Sequence, residues 1–321
     1  MNVCVIGLGS MGRRRIRLLQ QYMPDIKIIG VDSCLQRMES VSKEYKIFCC
    51  LSLHDTDTKF ECAFICTPPQ THSILIQDCL KRDCHIFSEI NLIDDLYMEN
   101  ICLAEKKEKV LFLSSTSMYK TEMQYIDKKV KQNKKPCVYQ YHFGQYLPDW
   151  HPWDDLENFF VSNKKTNGCR ELLAIELPWL QNTFGKIVNT HVIKRKLTEL
   201  NLDFPDTYLI QIEHENGNFG NLLVDVVSRQ AVRNFEVLNE TLYIRWSGTP
   251  DTLYEKDIVT GELKVVGEKD FVHSDGYAEF INEIAYLKEI EDFFSAIKGK
   301  KPLYSFETDK EILNVINGIE G

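Results

Sequence analysis

The sequence predicts an α/β protein in which a doubly wound parallel sheet is followed by an α+β half built on a large, mostly antiparallel open sheet. Three observations lead there. The first 115 residues alternate short apolar runs with amphipathic stretches. A glycine-rich turn joins the first run to the first stretch. Beyond about residue 136 the apolar runs follow one another directly with turn signals between them, and 321 residues suit two domains of roughly 150 each.

In the first half the expected strands are residues 3–6, 26–31, 47–50, 62–66, 84–87 and 110–113. The stretches at 12–22, 70–81 and 94–108 have the 3.6-residue period of helices. In the second half, apolar runs at 188–193, 208–213, 219–227 and 241–246 read as strands. Asn216-Gly217 between two of them marks a hairpin. Helices are expected near 170–184 and 277–297, the latter with an apolar stripe of Phe280, Ile284, Leu287, Phe294 and Ile297 that reads as core. A last helix is expected at 308–319. Five lysines between Lys128 and Lys135 read as a solvated helix end before Pro136.

Composition excludes several classes. Forty-seven acidic against thirty-eight basic residues give a net charge of −9, a field that repels phosphate backbones and anionic membranes, so neither nucleic acid nor membrane is expected as a partner. Eleven cysteines without a CxxC pair, among them Cys4, Cys62, Cys66, Cys84 and Cys102, read as buried reduced thiols. No run approaches the ~18 apolar residues of a membrane span, and the first strand begins at residue 2, so the chain reads as cytoplasmic. The eight histidines show no HxxxH or HExxH and the cysteines lack ligand spacing, so no metal is expected.

The strongest signal is Gly7-Leu8-Gly9-Ser10-Met11-Gly12, which follows an expected strand and opens a helix. There glycines permit a tight turn, close approach of a pyrophosphate and close helix packing, and the helix N-terminus offers unpaired N–H groups to phosphate. Asp32 lies at the end of the second strand, where its carboxylate accepts from a ribose 2′-OH and repels a 2′-phosphate. NAD is therefore favoured over NADP, although Arg37 and the Arg13-Arg14-Arg15 run weaken the exclusion. Arg14 and Arg15 themselves read as an exposed helix face.

A second signal is the run from Ala63 through Thr67-Pro68 to His72, a buried strand leading into a helix. Local chemistry leaves Thr67 as an N-cap, Pro68 as a first helical residue and His72 as an ordinary helix histidine. Together with the glycine turn, the His85–Glu89 strand end, the stretch from Gly144 to Trp150 and the antiparallel second half, it resembles the glucose-fructose oxidoreductase and inositol dehydrogenase (Gfo/Idh/MocA) family over nearly the whole chain. The resemblance implies a Rossmann domain at 1–116 and a substrate-binding and oligomerisation domain at 117–321, whose open sheet packs against another subunit in a homodimer or homotetramer. It implies NAD(P) and a sugar-like substrate, with Thr67, Pro68 and His72 beside the cofactor and Glu89 near its nicotinamide ribose.

The catalytic pattern departs from that family. Where it reads Glu-Lys-Pro, this chain has Glu89-Ile90-Asn91. Where its helix carries Asp-x-x-x-His, this chain has Glu171 and Ile175. Removing a hydride from a carbinol requires that the hydroxyl proton leave too, so a base is needed. The candidates are His151, Glu171 and Glu176. Tyr146 and Trp150, interleaved with acidic residues, suit a sugar or nucleotide, or else anchor the two domains. Arg170 suits a substrate carboxylate or phosphate, or a pair with Glu171 or Glu176. Two functions follow: an NAD-dependent oxidoreductase acting on a hydroxyl or keto carbon of a sugar, sugar nucleotide or polyol, and a noncatalytic NAD-binding sensor or assembly protein.

Overall fold

The computed structural model describes residues 1–150, 159–268, 272 and 281–321, which form two compact units. The first comprises Met1–Ser115 with Tyr286–Glu311, the second Thr116–Ala285 with Ile312–Gly321. Residues 286–311, expected in the second domain, thus belong to the first.

In the first unit six strands, β1 (Asn2–Ile6), β2 (Lys27–Val31), β3 (Phe48–Cys50), β4 (Cys62–Ile65), β5 (His85–Ser88) and β6 (Leu111–Leu113), make one parallel sheet in the order β3-β2-β1-β4-β5-β6. The crossovers carry α1 (Ser10–Tyr22), α2 (Leu35–Tyr45), α3 (His72–Lys81) and α4 (Tyr97–Lys106). Strand order reverses between β1 and β4, the topological switch point at which doubly wound sheets open a crevice beyond their carboxyl ends. The strands bury nearly every residue, which is why they read as continuous apolar runs. Helix α2 buries Val41 alone among its residues.

The aromatic core explains why the C-terminal segment joins this unit. Phe64, Phe87 and Phe112, on adjacent strands, stack at 4.7 and 5.1 Å between centroids. Phe293 of α7 (Glu283–Ile297) meets all three edge-on. The expected stripe on this helix is rotated: Ile284, Leu287 and Ile297 are only half-buried, whereas Ala285, Glu289, Ile290, Phe293, Phe294 and Ala296 are buried. Phe280 lies outside the described residues. At the start of α8 (Phe306–Glu320), Asp309 accepts hydroxyl protons from Tyr97 and Tyr304 at 2.6 and 2.7 Å.

The second unit holds an eight-stranded sheet. Its strands are β7 (Val138–Gly144), β8 (Ile187–Arg195), β9 (Thr207–His214), β10 (Phe219–Asp225), β11 (Val232–Asn239), β12 (Leu242–Trp246), β13 (Tyr254–Lys256) and β14 (Leu263–Val265), in the order β14-β13-β12-β11-β7-β10-β9-β8. All neighbours are antiparallel except β7 and β10. The expected hairpin joins β9 to β10, with Gly217 at φ +84°, a conformation the turn requires. Helices α5 (Thr121–Gln132) and α6 (Gly168–Phe184) belong to this unit. The lysines from 128 to 135 lie on the exposed end of α5 and the turn after it.

All eleven cysteines are unpaired thiols; seven are buried, but Cys102 is exposed because it lies on the outward side of α4. Among the described residues no helix is long and apolar enough to cross a membrane.

Candidate functional site

In the first unit the site begins at the glycine turn. Gly7 has φ +89°, and a Cβ there would stand 2.7 Å from the Cys66 carbonyl carbon and oxygen, so the turn is pressed against the end of β4. A Cβ on Gly12 would penetrate the Gly7 carbonyl, so only glycine lets α1 leave at this angle. Gly9, the N-cap of α1, has open space where its Cβ would point. It also lacks a side-chain cap, so the N-terminal amides that follow it through Ser10 and Met11 suit phosphate.

Asp32 is buried at the end of β2. Its Oδ2 accepts from the Leu8 N–H at 2.8 Å and from the Arg37 guanidinium at 3.0 Å, and its Oδ1 accepts from the Cys34 N–H at 2.8 Å. The acid therefore braces the glycine turn while retaining lone pairs for a ribose hydroxyl. An open face beside Gly9, uncapped amides and this acid together fit a dinucleotide.

The Thr67–His72 region is arranged differently from either local expectation. A short 3₁₀ turn, Pro69–Thr71, precedes α3; Pro68 caps that turn, and the Thr67 hydroxyl accepts from Thr71 at 2.7 Å instead of capping a helix. His72 is fully buried, with Nε2 at 2.7 Å from the Thr67 carbonyl and Nδ1 at 2.7 Å from the Asn91 amide. Burial pushes its pKa down, so the ring is neutral. The Thr67 carbonyl can only accept, so Nε2 carries the proton, and Nδ1 lies against the Asn91 amide oxygen. His72 thus ties the loop after β4 to the loop after β5.

Glu89, which follows β5, is 8% exposed and accepts from Arg15 Nε at 2.6 Å. Neither Arg14 nor Arg15 is on an exposed face. Arg14 is 3% exposed with its guanidinium 4.4 Å above the Tyr286 ring, and Arg15 is wholly buried. Residues sixty or more positions away supply their cover, a fact that no local pattern carries.

In the second unit the segment Gly144–Trp150 meets the start of α6. A Cβ on Gly168 would lie 3.1 Å from Leu147 and 3.5 Å from Trp150. The Trp150 indole donates to the Gln145 carbonyl at 3.0 Å, and the Tyr146 ring carries the Arg229 guanidinium at 4.0 Å. Arg229 is exposed and has no ion pair among the described residues, which makes it an anion-binding candidate that sequence reasoning missed. Its signal was available, an arginine just beyond the end of β10.

Arg170 is not available in the manner expected. Its guanidinium pairs with Glu320 and donates to Asn317 Oδ1 at 2.7 Å, both on the end of α8, and it pairs with neither Glu171 nor Glu176. The tail that had no expected destination therefore packs on α6, and Asn167, whose side chain caps that helix at the Arg170 N–H, also donates to Glu320 at 2.6 Å.

The three proposed bases separate. Glu176 is fully buried in structural work: it accepts from Tyr141 Oη at 2.9 Å and Trp179 Nε1 at 2.7 Å and pairs with Arg233. It faces the sheet, about 100° around α6 from Ile175, and is not poised to take a proton. Glu171 has its Oε2 sealed from solvent without a partner among the described residues, and burial pushes its pKa up to about 7. His151 lies outside the described residues.

Residues 1–114 match the model of the GFO_IDH_MocA family, described as an oxidoreductase family with an NAD-binding Rossmann fold. No curated protein matches the chain. Among solved structures it is similar to levoglucosan dehydrogenase in complex with NADH (TM-score 0.81, 14% identity, covering 99% of this chain and 95% of that one). It is similar also to GenD2 from gentamicin A biosynthesis in complex with NAD (0.78, 15%, 99% and 92%) and to UDP-N-acetylglucosamine 3-dehydrogenase GnnA from Acidithiobacillus ferrooxidans (0.75, 18%, 99% and 96%). At these identities the likeness is one of fold. The match to the family model thus covers the first 114 residues, and the likeness of fold covers nearly the whole chain.

Proposed function

We propose that the protein is an NAD-dependent oxidoreductase acting on a hydroxyl or keto carbon of a sugar, sugar nucleotide or polyol. The observation that carries this reading is the Asp32 carboxylate hydrogen-bonded beneath the Gly7–Gly12 turn, with open space at Gly9. Gly7, Leu8, Gly9, Ser10, Met11 and Gly12 would hold the pyrophosphate, Asp32 the adenosine ribose, and Thr67, Pro68 and Glu89 the second half, with His72 bracing the Thr67 loop. The dinucleotide supplies the hydride acceptor or donor. NAD is preferred over NADP because Asp32 holds Arg37 by an ion pair, so a 2′-phosphate would meet a carboxylate whose cation is already engaged.

Glu171 is the base. A carboxyl with a pKa of about 7 is ionised often enough to take the hydroxyl proton and basic enough to hold it. Tyr146 and Trp150 offer stacking surfaces to a sugar ring, and Arg229 takes the anionic-group role that Arg170, held by Glu320, does not. The similar structures include a sugar dehydrogenase and a sugar-nucleotide dehydrogenase, which supports the substrate class. The outer face of the second sheet exposes Ile193, Leu209 and Phe219, which supports assembly into a dimer or tetramer through that face. Eleven unpaired thiols support a reducing, cytoplasmic setting.

A noncatalytic NAD-binding role is the second reading, and Ile90 and Ile175, where the family carries lysine and histidine, favour it. One experiment separates the two. The protein is titrated with NAD+ and then assayed with panels of sugars and nucleotide sugars, alongside Glu171→Gln. Turnover lost in the variant with NAD+ binding retained supports the enzyme; binding without turnover on any substrate supports the sensor.

A further inference from the structure

In the second unit the loops that follow β7 and β10 are joined into one hydrogen-bonded lobe. The parallel pairing of these strands ends with Gly144 opposite Asp225, and the backbone continues it beyond them. The Gln145 N–H donates to the Asp225 carbonyl at 3.3 Å, the Tyr146 N–H to the Ser228 carbonyl at 2.6 Å and the Leu147 N–H to the Val226 carbonyl at 3.0 Å. A Cβ on Gly144 would stand 2.7 Å from Asp225 Oδ2, so the glycine admits that carboxylate to the lobe.

Asp225, 2% exposed, fastens the second loop. Its Oδ1 accepts from the N–H groups of Val227 and Ser228 at 2.9 and 2.7 Å, and its Oδ2 from the Ser228 hydroxyl at 3.0 Å and His142 Nε2 at 2.7 Å. Burial alone would raise its pKa, but the bonds from His142, Val227 and Ser228 outweigh burial and hold it below its ordinary value, so the group is ionised. The residue that follows this anchored stretch is Arg229.

Arg229 is exposed, and the 4.0 Å stacking of its guanidinium on the Tyr146 ring is its one side-chain interaction among the described residues. Neither Asp225 nor Asp149, the two acids of the lobe, pairs with it. Stacking fixes the plane of the guanidinium and leaves its N–H donors without acceptors. Tyr146 is itself tied through its N–H to the residue before Arg229, so ring and cation are held together by the backbone. A preorganised planar fork of this kind matches an oxyanion bidentately, and neutral hydroxyls gain far less from it. A chain with a net charge of −9 repels anions at long range, so a local cation of this kind is needed to hold one.

We propose that Arg229 is a specificity-determining residue that selects a substrate carrying a phosphate or carboxylate group, a sugar nucleotide, sugar phosphate or sugar acid in preference to a neutral sugar or polyol, and that Asp225 and His142 are positioning residues that hold its loop. This rests on the reading of the protein as a sugar oxidoreductase and narrows the substrate of that reading.

Two pairs of probes isolate the anion: uridine with uridine diphosphate, and glucose with glucuronate. Dissociation constants are measured by calorimetry on the full chain, with and without saturating NAD+. The wild type should bind the anionic member of at least one pair about tenfold or more tightly than the neutral one, and the pair that shows it tells phosphate from carboxylate. Arg229→Gln should melt as the wild type does and weaken the anionic probe about 10–100-fold, with the neutral probe within about twofold. Arg229→Lys, which keeps the charge without the fork, should fall between. Asp225→Asn and His142→Gln should lower the same ratio by less, because the loop loosens while the cation remains; damage to the whole fold would weaken both members of a pair together. Anionic probes bound no better than neutral ones, displaced by NAD+, or bound equally well by Arg229→Gln overturn the proposal. A ratio unmoved in the folded variants at Asp225 and His142 overturns their positioning role. An anion preference that depends on Arg229 in a protein that does not bind NAD+ would overturn the oxidoreductase reading instead.

Discussion

The Asp32 carboxylate accepts the Leu8 amide proton at 2.8 Å, so the acid at the end of β2 and the turn after β1 are one hydrogen-bonded unit. The same carboxylate holds Arg37, half-exposed, at 3.0 Å. Asp32→Ser keeps a hydroxyl acceptor and removes the charge. NAD+ affinity is expected to fall about 10–100-fold, the cost of charge-assisted hydrogen bonds. NADP+ affinity should fall less, because the released Arg37 is then able to pair with a 2′-phosphate. Calorimetric titrations with each dinucleotide check this, and equal losses for both would mean that Asp32 serves the turn alone.

Two glycines of the turn should behave in opposite ways. At Gly12 an added methyl meets the Gly7 carbonyl, so Gly12→Ala is expected to lower the melting temperature by several degrees, in line with a few kcal/mol of overpacking. At Gly9 nothing lies within 4 Å of the added carbon, so Gly9→Ala should melt like the wild type and yet lose NAD+ binding. Circular dichroism melts paired with NAD+ titration decide it. A Gly9→Ala protein that binds normally would place the pyrophosphate elsewhere.

What the sequence discloses and what it conceals divide along contact distance. The glycine turn, Asp32 and the Asn216-Gly217 hairpin were legible because each is specified by its immediate neighbours. Arg15 was not, since its partners Glu89 and Glu289 lie 74 and 274 residues away and a run of three arginines on a helix otherwise reads as a wet face. Burial of Glu289 likewise rotated the core face of α7 away from the apolar stripe, because a paired acid occupies a core position that hydrophobicity assigns to its neighbours. Strand β11 is concealed for the same reason: Arg233 takes an inward position in its alternation and is buried only because Glu176 neutralises it.

That last pair supports a prediction about stability. Glu176 is held by Arg233, Tyr141 and Trp179, so Glu176→Ala leaves a guanidinium buried against an apolar sheet face. A loss of about 3–5 kcal/mol is expected, the usual result of removing one partner of a buried ion pair. Replacing both partners, as in Glu176→Leu with Arg233→Met, should recover much of it, because no charge is then stranded. Urea unfolding at pH 7 measures both variants. If Glu176→Ala were as stable as the wild type but inactive, the carboxylate would act in chemistry and the structural assignment would fall.

Glu171 carries the complementary prediction, because its shift has a cause that acts on rate and stability together. Burial raises its pKa to about 7 and no cation offsets it among the described residues, so the folded protein favours the neutral acid. As a base it works only when ionised, so kcat/KM for oxidation should climb with pH through about 7 and level off above it. Glu171→Gln should lower kcat about 10²–10⁴-fold and abolish that limb. For stability the sign runs the other way. A folded pKa above the unfolded value of about 4.3 means that the group's contribution is fully present below the unfolded pKa and is lost as pH rises through about 7. Glutamine never ionises, so the melting temperature of Glu171→Gln should gain on that of the wild type between about pH 5 and 8. If one carboxyl causes both, the rate limb centres on about pH 7 and the melting penalty, which builds from about pH 4.3, levels off at that same pH; a rate limb that persists in Glu171→Gln would assign the base to another residue.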